Sequence, residues 1–148
     1  MMKKMMFLAL VLMLGMHVKA QNSGLGLGLI LGEPTGLSAK FWTTEKTAVD
    51  AAAAWSLVGS GYLRVHADMV VHNYSIDVSK GRLPLYFGLG AKLTLASSPG
   101  LGIRVPLGMA YQFADAPFDV FAEIVPVLEL MPASGFVVEG AVGIRYFF

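Results

Sequence analysis

Leu83-Pro84-Leu85-Tyr86-Phe87-Gly88-Leu89-Gly90-Ala91-Lys92-Leu93-Thr94-Leu95 is the stretch on which the fold turns. Leu83, Leu85, Phe87, Leu89, Ala91, Leu93 and Leu95 fill one set of alternate positions. Pro84, Tyr86, Gly88, Gly90, Lys92 and Thr94 fill the other. Successive side chains of an extended chain point to opposite faces, so a period of two predicts a β-strand with one oily and one mixed face.

The pattern recurs on both sides. Leu25, Leu27, Leu29 and Leu31 alternate with Gly24, Gly26, Gly28 and Ile30. Leu101 to Phe113 sets Leu101, Ile103, Val105, Leu107, Met109, Tyr111 and Phe113 against Gly102, Arg104, Pro106, Gly108, Ala110 and Gln112. The final run opposes Phe136, Val138, Gly140, Val142, Ile144, Tyr146 and Phe148 to Val137, Glu139, Ala141, Gly143, Arg145 and Phe147. Turn-forming clusters separate the runs at 32–36, 43–46, 58–61, 75–82, 97–100, 114–117 and 132–135. Seven breaks make eight segments, and connections this short suit antiparallel hairpins, with no room for crossover helices.

The amino terminus reads as a targeting segment. Lys3 and Lys4 precede an apolar run from Met5 to Val18, and Val18 and Ala20 form a small-residue cleavage site before Gln21. Residues 1–20 are thus expected to be a signal peptide and 21–148 the barrel domain. Losing Lys3, Lys4 and Lys19 from the 11 basic residues leaves eight against ten acidic ones, net −2 over 128 residues. That balance points to no nucleic-acid partner. The chain has no cysteine, which excludes disulfides, thiolate zinc sites and thiol nucleophiles. Only 14% of residues are charged, against about 25% in soluble domains.

Where the charges fall is the sharper test. Glu33, Glu45, Lys46, Asp77, Lys80, Arg82 and Asp115 lie in the breaks. The other eleven are Lys40, Asp50, Arg64, Asp68, Lys92, Arg104, Asp119, Glu123, Glu129, Glu139 and Arg145, and all take the mixed face of their segment. A soluble lipocalin-like barrel would turn the oily face inward; an outer-membrane barrel would turn it outward. Volume favours the second arrangement. Eight strands enclose little more than a layer of side chains, and the mixed face carries the small residues, among them Gly26, Gly28, Gly88, Gly90, Ala52 and Ala54. Basic side chains on a lipid face would cost about 2–4 kcal/mol each at mid-bilayer. Phe41, Tyr62, Tyr111, Phe113, Phe136, Tyr146 and Phe148, close to the breaks, are expected to form interfacial girdles.

The terminal Gly143-Ile144-Arg145-Tyr146-Phe147-Phe148 resembles the assembly signal of bacterial outer-membrane barrels. Over residues 21–148 the chain resembles the small eight-stranded OmpA- and OmpX-type barrels. Gly32-Glu33-Pro34-Thr35-Gly36-Leu37 and Pro84 to Gly90 also resemble a set of predicted outer-membrane proteins of unassigned function. The resemblance implies an all-β, eight-stranded, up-and-down transmembrane barrel in the outer membrane of a Gram-negative-type bacterium. It also implies that the barrel-assembly machinery reads Gly143, Tyr146 and Phe148. Two departures stand out. Pro106 and Pro126 lie inside segments, where a bulge or a position outside the hydrocarbon zone would accommodate them. All connections are short, which weakens an adhesin or receptor reading.

Five basic and six acidic lumen residues predict a paired network that closes the interior, because an unpaired buried charge is strongly unfavourable. His66 and His72 share the inward parity but stand about 20 Å apart along one strand, too far to ligate one metal. A lipid-modifying enzyme would need Ser, His and an acid converging on the outer face, and no acid or histidine has that parity; the rim serines Ser60, Ser97, Ser98 and Ser134 show no supporting spacing. The expectation is a monomeric, non-catalytic barrel without cofactor or metal, in contact with outer-membrane lipid, with a structural or envelope role. The alternative is a binding barrel, either soluble and periplasmic or a membrane barrel admitting a small polar solute.

Overall fold

The computed structural model describes residues 24–33, 35–56 and 62–148. Residues 1–20, expected to be a signal peptide, and the break at 58–61 lie outside the described residues. Among the described residues nine strands follow in order: β1 (Leu25–Gly32), β2 (Gly36–Trp42), β3 (Thr47–Ser56), β4 (Tyr62–Asn73), β5 (Leu85–Leu95), β6 (Gly100–Arg104), β7 (Leu107–Gln112), β8 (Phe118–Met131) and β9 (Gly135–Phe147). All pairings are antiparallel. β1 pairs with both β2 and β9, which closes the sheet on itself. β6 and β7 lie end to end between β5 and β8. Nine strands therefore fill eight places in a ring.

The interruption falls at Val105-Pro106, inside the segment that alternation reads as one strand. Proline lacks the ladder donor, yet the register runs through: Arg104 faces Gly90 and Val127, and Leu107 faces Phe87 and Ile124. Each proline keeps only its acceptor side. Gly88 N–H donates to the Pro106 carbonyl at 3.1 Å, and Val105 N–H to the Pro126 carbonyl at 3.0 Å. Pro126 stays inside β8, opposite Val138. A bulge, one of the two accommodations expected for the prolines, lies elsewhere. Leu101 faces Met131 while Gly102 faces Glu129, leaving Leu130 unopposed.

The two faces separate as the alternation requires. Leu29, Leu89 and Ile124 are 56%, 61% and 61% exposed, whereas Arg104, Lys40 and Arg145 are 0–1% exposed. The interior also takes large rings, which a count of small inward residues does not anticipate: Trp42, Tyr86, Phe121 and Phe147 are all buried inward. Three of them lie over a glycine of the adjacent strand. A β-carbon on Gly26, Gly108 or Gly143 would strike the ring of Phe147, Tyr86 or Phe121 respectively.

The start of β1, the end of β9 and the connections 43–46, 74–84 and 113–117 share one end of the barrel; the end of β1, the start of β2 and the connections 96–99 and 132–134 share the far end. An outward cluster rings the terminus end. Tyr111 meets Phe113 at 4.9 Å between ring centroids, Phe118 meets Tyr146 at 5.1 Å, and Tyr146 meets Phe148 at 5.2 Å. Tyr62 departs from the expected girdle. It shares the inward parity of β4 and sits with the Arg64 guanidinium over its ring at 5.4 Å, at the far-end mouth. A cation on the same face holds the ring there.

Candidate functional site

All eleven strand charges take inward parity; nine are buried, and Arg64 and Glu129 are half-buried near the far end. Two pairs form between directly opposed residues. Lys40 on β2 faces Asp50 on β3, with Nζ to Oδ1 at 3.1 Å. Asp119 on β8 faces Arg145 on β9, whose Nε and Nη2 each donate to the carboxylate at 3.0 Å. Arg145 also reaches Asp50 at 3.6 Å, which joins the pairs, and lies 4.1 Å from the Phe121 ring centroid.

Three further contacts skip a strand. Asp68 faces Gly90, and Gly90 faces Arg104. Lys92 faces Gly102, and Gly102 faces Glu129. Tyr86 faces Gly108, and Gly108 faces Glu123. In each row a glycine stands between the two partners. Two interstrand spacings put the outer members about 10 Å apart at the backbone, within reach of two long side chains only if nothing rises between them. Over Gly90, Arg104 Nε donates to Asp68 Oδ1 at 3.0 Å and Nη2 to Oδ2 at 3.2 Å. Over Gly102, Lys92 donates to Glu129 at 2.9 Å; over Gly108, the Tyr86 hydroxyl donates to Glu123 at 2.8 Å. A β-carbon on Gly90 would collide with Asp68 Oδ1. Read from sequence, these glycines only save volume. At Gly90 and Gly108, where a β-carbon would strike Asp68 or the Tyr86 ring, the glycine is a window between partners, and that role needs the register, which alternation alone does not supply.

Glu139 ties the far half together, accepting from Lys92 at 2.6 Å and from Arg104 at 3.1 Å. Arg104 lies 3.7 Å from Glu123 as well. Every one of the six lumen carboxylates thus touches Lys40, Lys92, Arg104 or Arg145. Charges taken out of water are tolerated only when compensated in this way. Buried side chains fill the middle of the cylinder.

At the terminus end Lys40 Nζ lies 5.0 Å from the Trp42 ring centroid and 5.1 Å from that of Tyr86. His72 packs on Trp42 at 4.4 Å, and its Nδ1 is 3.0 Å from the Lys46 carbonyl oxygen. Gln112 donates to the Tyr74 hydroxyl at 3.1 Å, and Arg82 lies over the Tyr74 ring. His66, on the same strand as His72, points to Asp68 at 3.8 Å. Among the described residues no group of histidines and carboxylates could hold a metal ion. Ser97, Ser98 and Ser134 are exposed in far-end turns, and Ser60 lies outside the described residues. Of the residues expected to form the assembly signal, Gly143 lies under the Phe121 ring, Tyr146 packs outward, and Phe148 N–H donates to the Leu25 carbonyl at 3.0 Å.

Among the described residues the far end is hollowed rather than filled. A cavity of about 600 Å³ there is lined by Glu33, Trp55, Tyr62, Arg64, Glu129 and Glu139, among others.

These features define a class: an antiparallel barrel of eight places with ions inside and oil outside. A crystal structure of the same fold is that of the N-terminal β-barrel domain of Pseudomonas aeruginosa OprF. The chain is similar to it with a TM-score of 0.57 and 15% sequence identity, over 88% of this chain and 100% of that one. At that identity the likeness is one of fold. No family model and no curated protein matches the chain.

Proposed function

We propose that the protein is an integral outer-membrane barrel whose lumen is closed by its ion pairs, with a structural or envelope role and no catalysis. The observation that carries this reading is the inverted distribution of polarity. Large apolar side chains such as Leu29, Leu89 and Phe136 stand exposed around the ring while Lys40, Arg104 and Arg145 are buried within it. A bilayer solvates such a surface and water does not. The OprF barrel domain, to which the fold is similar, supports the same placement. In this reading residues 1–20 are removed near Ala20. The barrel-assembly machinery reads Gly143, Tyr146 and Phe148, and the product is a monomer in contact with outer-membrane lipid.

Cell fractionation with gels of unheated and boiled samples tests the membrane placement. Outer-membrane recovery and a heat-dependent shift in mobility are expected; recovery in the soluble periplasm would overturn it. Planar bilayers test the closed lumen. No steady single-channel steps are expected, and their appearance would replace a sealed barrel with a solute path.

A further inference from the structure

We propose that the far-end rim carries a lateral slot for a zwitterionic amphiphile, one whose headgroup bears both an anion and an amine. The slot arises from uneven hairpins. β1 ends at Gly32, paired with Ala141, and Glu33 N–H donates to the Gly140 carbonyl at 2.9 Å. Among the described residues nothing pairs with that edge of β9 from Gly135 to Glu139. Five residues at about 3.4 Å each leave roughly 17 Å of open edge. Because the Gly140 carbonyl faces this side, the alternation of an extended chain turns the N–H and C=O groups of Val138 and Phe136 the same way. Val138 and Phe136 are 57% and 68% exposed. Backbone groups bordering hydrocarbon must find polar partners.

The far-end cavity lies against this edge, between Val137 and Glu139 on one side and Trp55 and Arg64 on the other. Its charges are not equally committed. Lys92 is held by Glu129 and Glu139, and Glu139 also takes Arg104. Arg64 Nε, by contrast, is buried with no hydrogen-bond partner. Glu33 is exposed, and the Glu129 side chain is 32% exposed. A lone anion on Arg64 would be repelled by these two carboxylates, and a lone amine would leave Arg64 unsatisfied. A headgroup carrying both satisfies each. Val137 and Glu139 line the cavity while Val138 and Phe136 of the same unpaired edge face outward, so a headgroup held inside would lay its acyl chain over that edge onto the apolar exterior. This inference rests on the membrane reading above.

The test uses the protein folded in maltoside micelles and titrated with dihexanoylphosphatidylethanolamine. Trp55 lines the slot, and the other tryptophan, Trp42, is buried at the terminus end. A saturable change in emission is expected, and Trp55→Phe should abolish it. Arg64→Ala and Glu129→Gln should each weaken binding about tenfold, since each removes one charge-assisted contact. Lys80→Ala, at the opposite end, should leave it unchanged. Dihexanoylphosphatidylglycerol, without the amine, and free phosphoethanolamine, without chains, should each bind at least about tenfold more weakly. Equal binding of phosphatidylglycerol overturns the amine contact, and equal binding of phosphoethanolamine makes the slot a solute site. Indifference to both substitutions, or dimers formed through the open edge, also overturns the proposal. A heat-shifted, folded protein that ignores the lipid sinks the slot alone; a protein with no heat shift sinks the membrane reading and the slot with it.

Discussion

Gly90→Ala isolates the window principle in one methyl group. The new β-carbon would enter the space where Asp68 Oδ1 meets Arg104 Nε at 3.0 Å, and would also press on the Ala67 carbonyl. Intrinsic strand preference favours alanine over glycine by about 0.5–1 kcal/mol. Against that, parting a buried ion pair costs about 3–5 kcal/mol, because both charges remain in place without full compensation. The net expectation is a loss of about 2–4 kcal/mol. Gly135→Ala is the control. Nothing lies within 4 Å of its β-carbon position, so only the intrinsic preference remains and stability should hold or rise slightly. Gly102→Ala should fall between, since its β-carbon would sit 3.1 Å from Val127 Cγ1 and 3.3 Å from the Leu128 carbonyl oxygen, tight contacts but not overlaps. Reversible urea unfolding in phospholipid vesicles, followed by tryptophan emission and gel mobility, would rank the three. Equal midpoints for Gly90→Ala and Gly135→Ala would refute the idea that inward glycines exist to let partners meet across a strand.

Three further expectations follow from the same geometry. Leu89→Arg, at the middle of the oily face, should cost about 2–4 kcal/mol in vesicles, while Leu95→Arg at the strand end should cost about 0–1; equal costs would deny a depth-dependent hydrocarbon environment. Pro126→Val restores a donor opposite the Val105 carbonyl and should stabilise by about 1 kcal/mol in the same unfolding assay, with a loss counting against the ladder geometry. Phe148→Ala should lower the amount of barrel recovered in outer membranes while leaving refolding of purified protein into vesicles unchanged. An equal loss in both would make Phe148 a packing residue, consistent only with its contact to Tyr146.

Much of the architecture is legible in the sequence because a strand's period is local. Lys92 between Ala91 and Leu93, or Arg104 between Ile103 and Val105, reveals its face from two adjacent residues. The inward direction of the charges follows from volume, and the buried Arg104 and exposed Leu89 agree with it. What the chain cannot display alone is register. The three rows Asp68–Gly90–Arg104, Lys92–Gly102–Glu129 and Tyr86–Gly108–Glu123 draw on residues far apart in the chain, and a slip of one residue would dissolve each. Tyr62 escapes its expected girdle for a related reason: an aromatic near a strand end suits either a lipid girdle or a lumen mouth, and its parity with Arg64 decides.

The rows also explain why this interior mixes glycine with arginine and lysine. Directly opposed pairs such as Lys40–Asp50 and Asp119–Arg145 bind only adjacent strands. A pair meeting over glycine binds the first and third strands of a triplet, fastening three places of the ring with one contact. Those triplets cluster on β4 to β8, the sector where Pro106 and Pro126 remove two ladder donors. Side-chain bridges over glycines thus cross the sector in which the backbone ladder is weakest. If that compensation is real, Pro126→Val should soften the effect of Gly90→Ala, and strictly additive changes in stability would argue that the two features are independent.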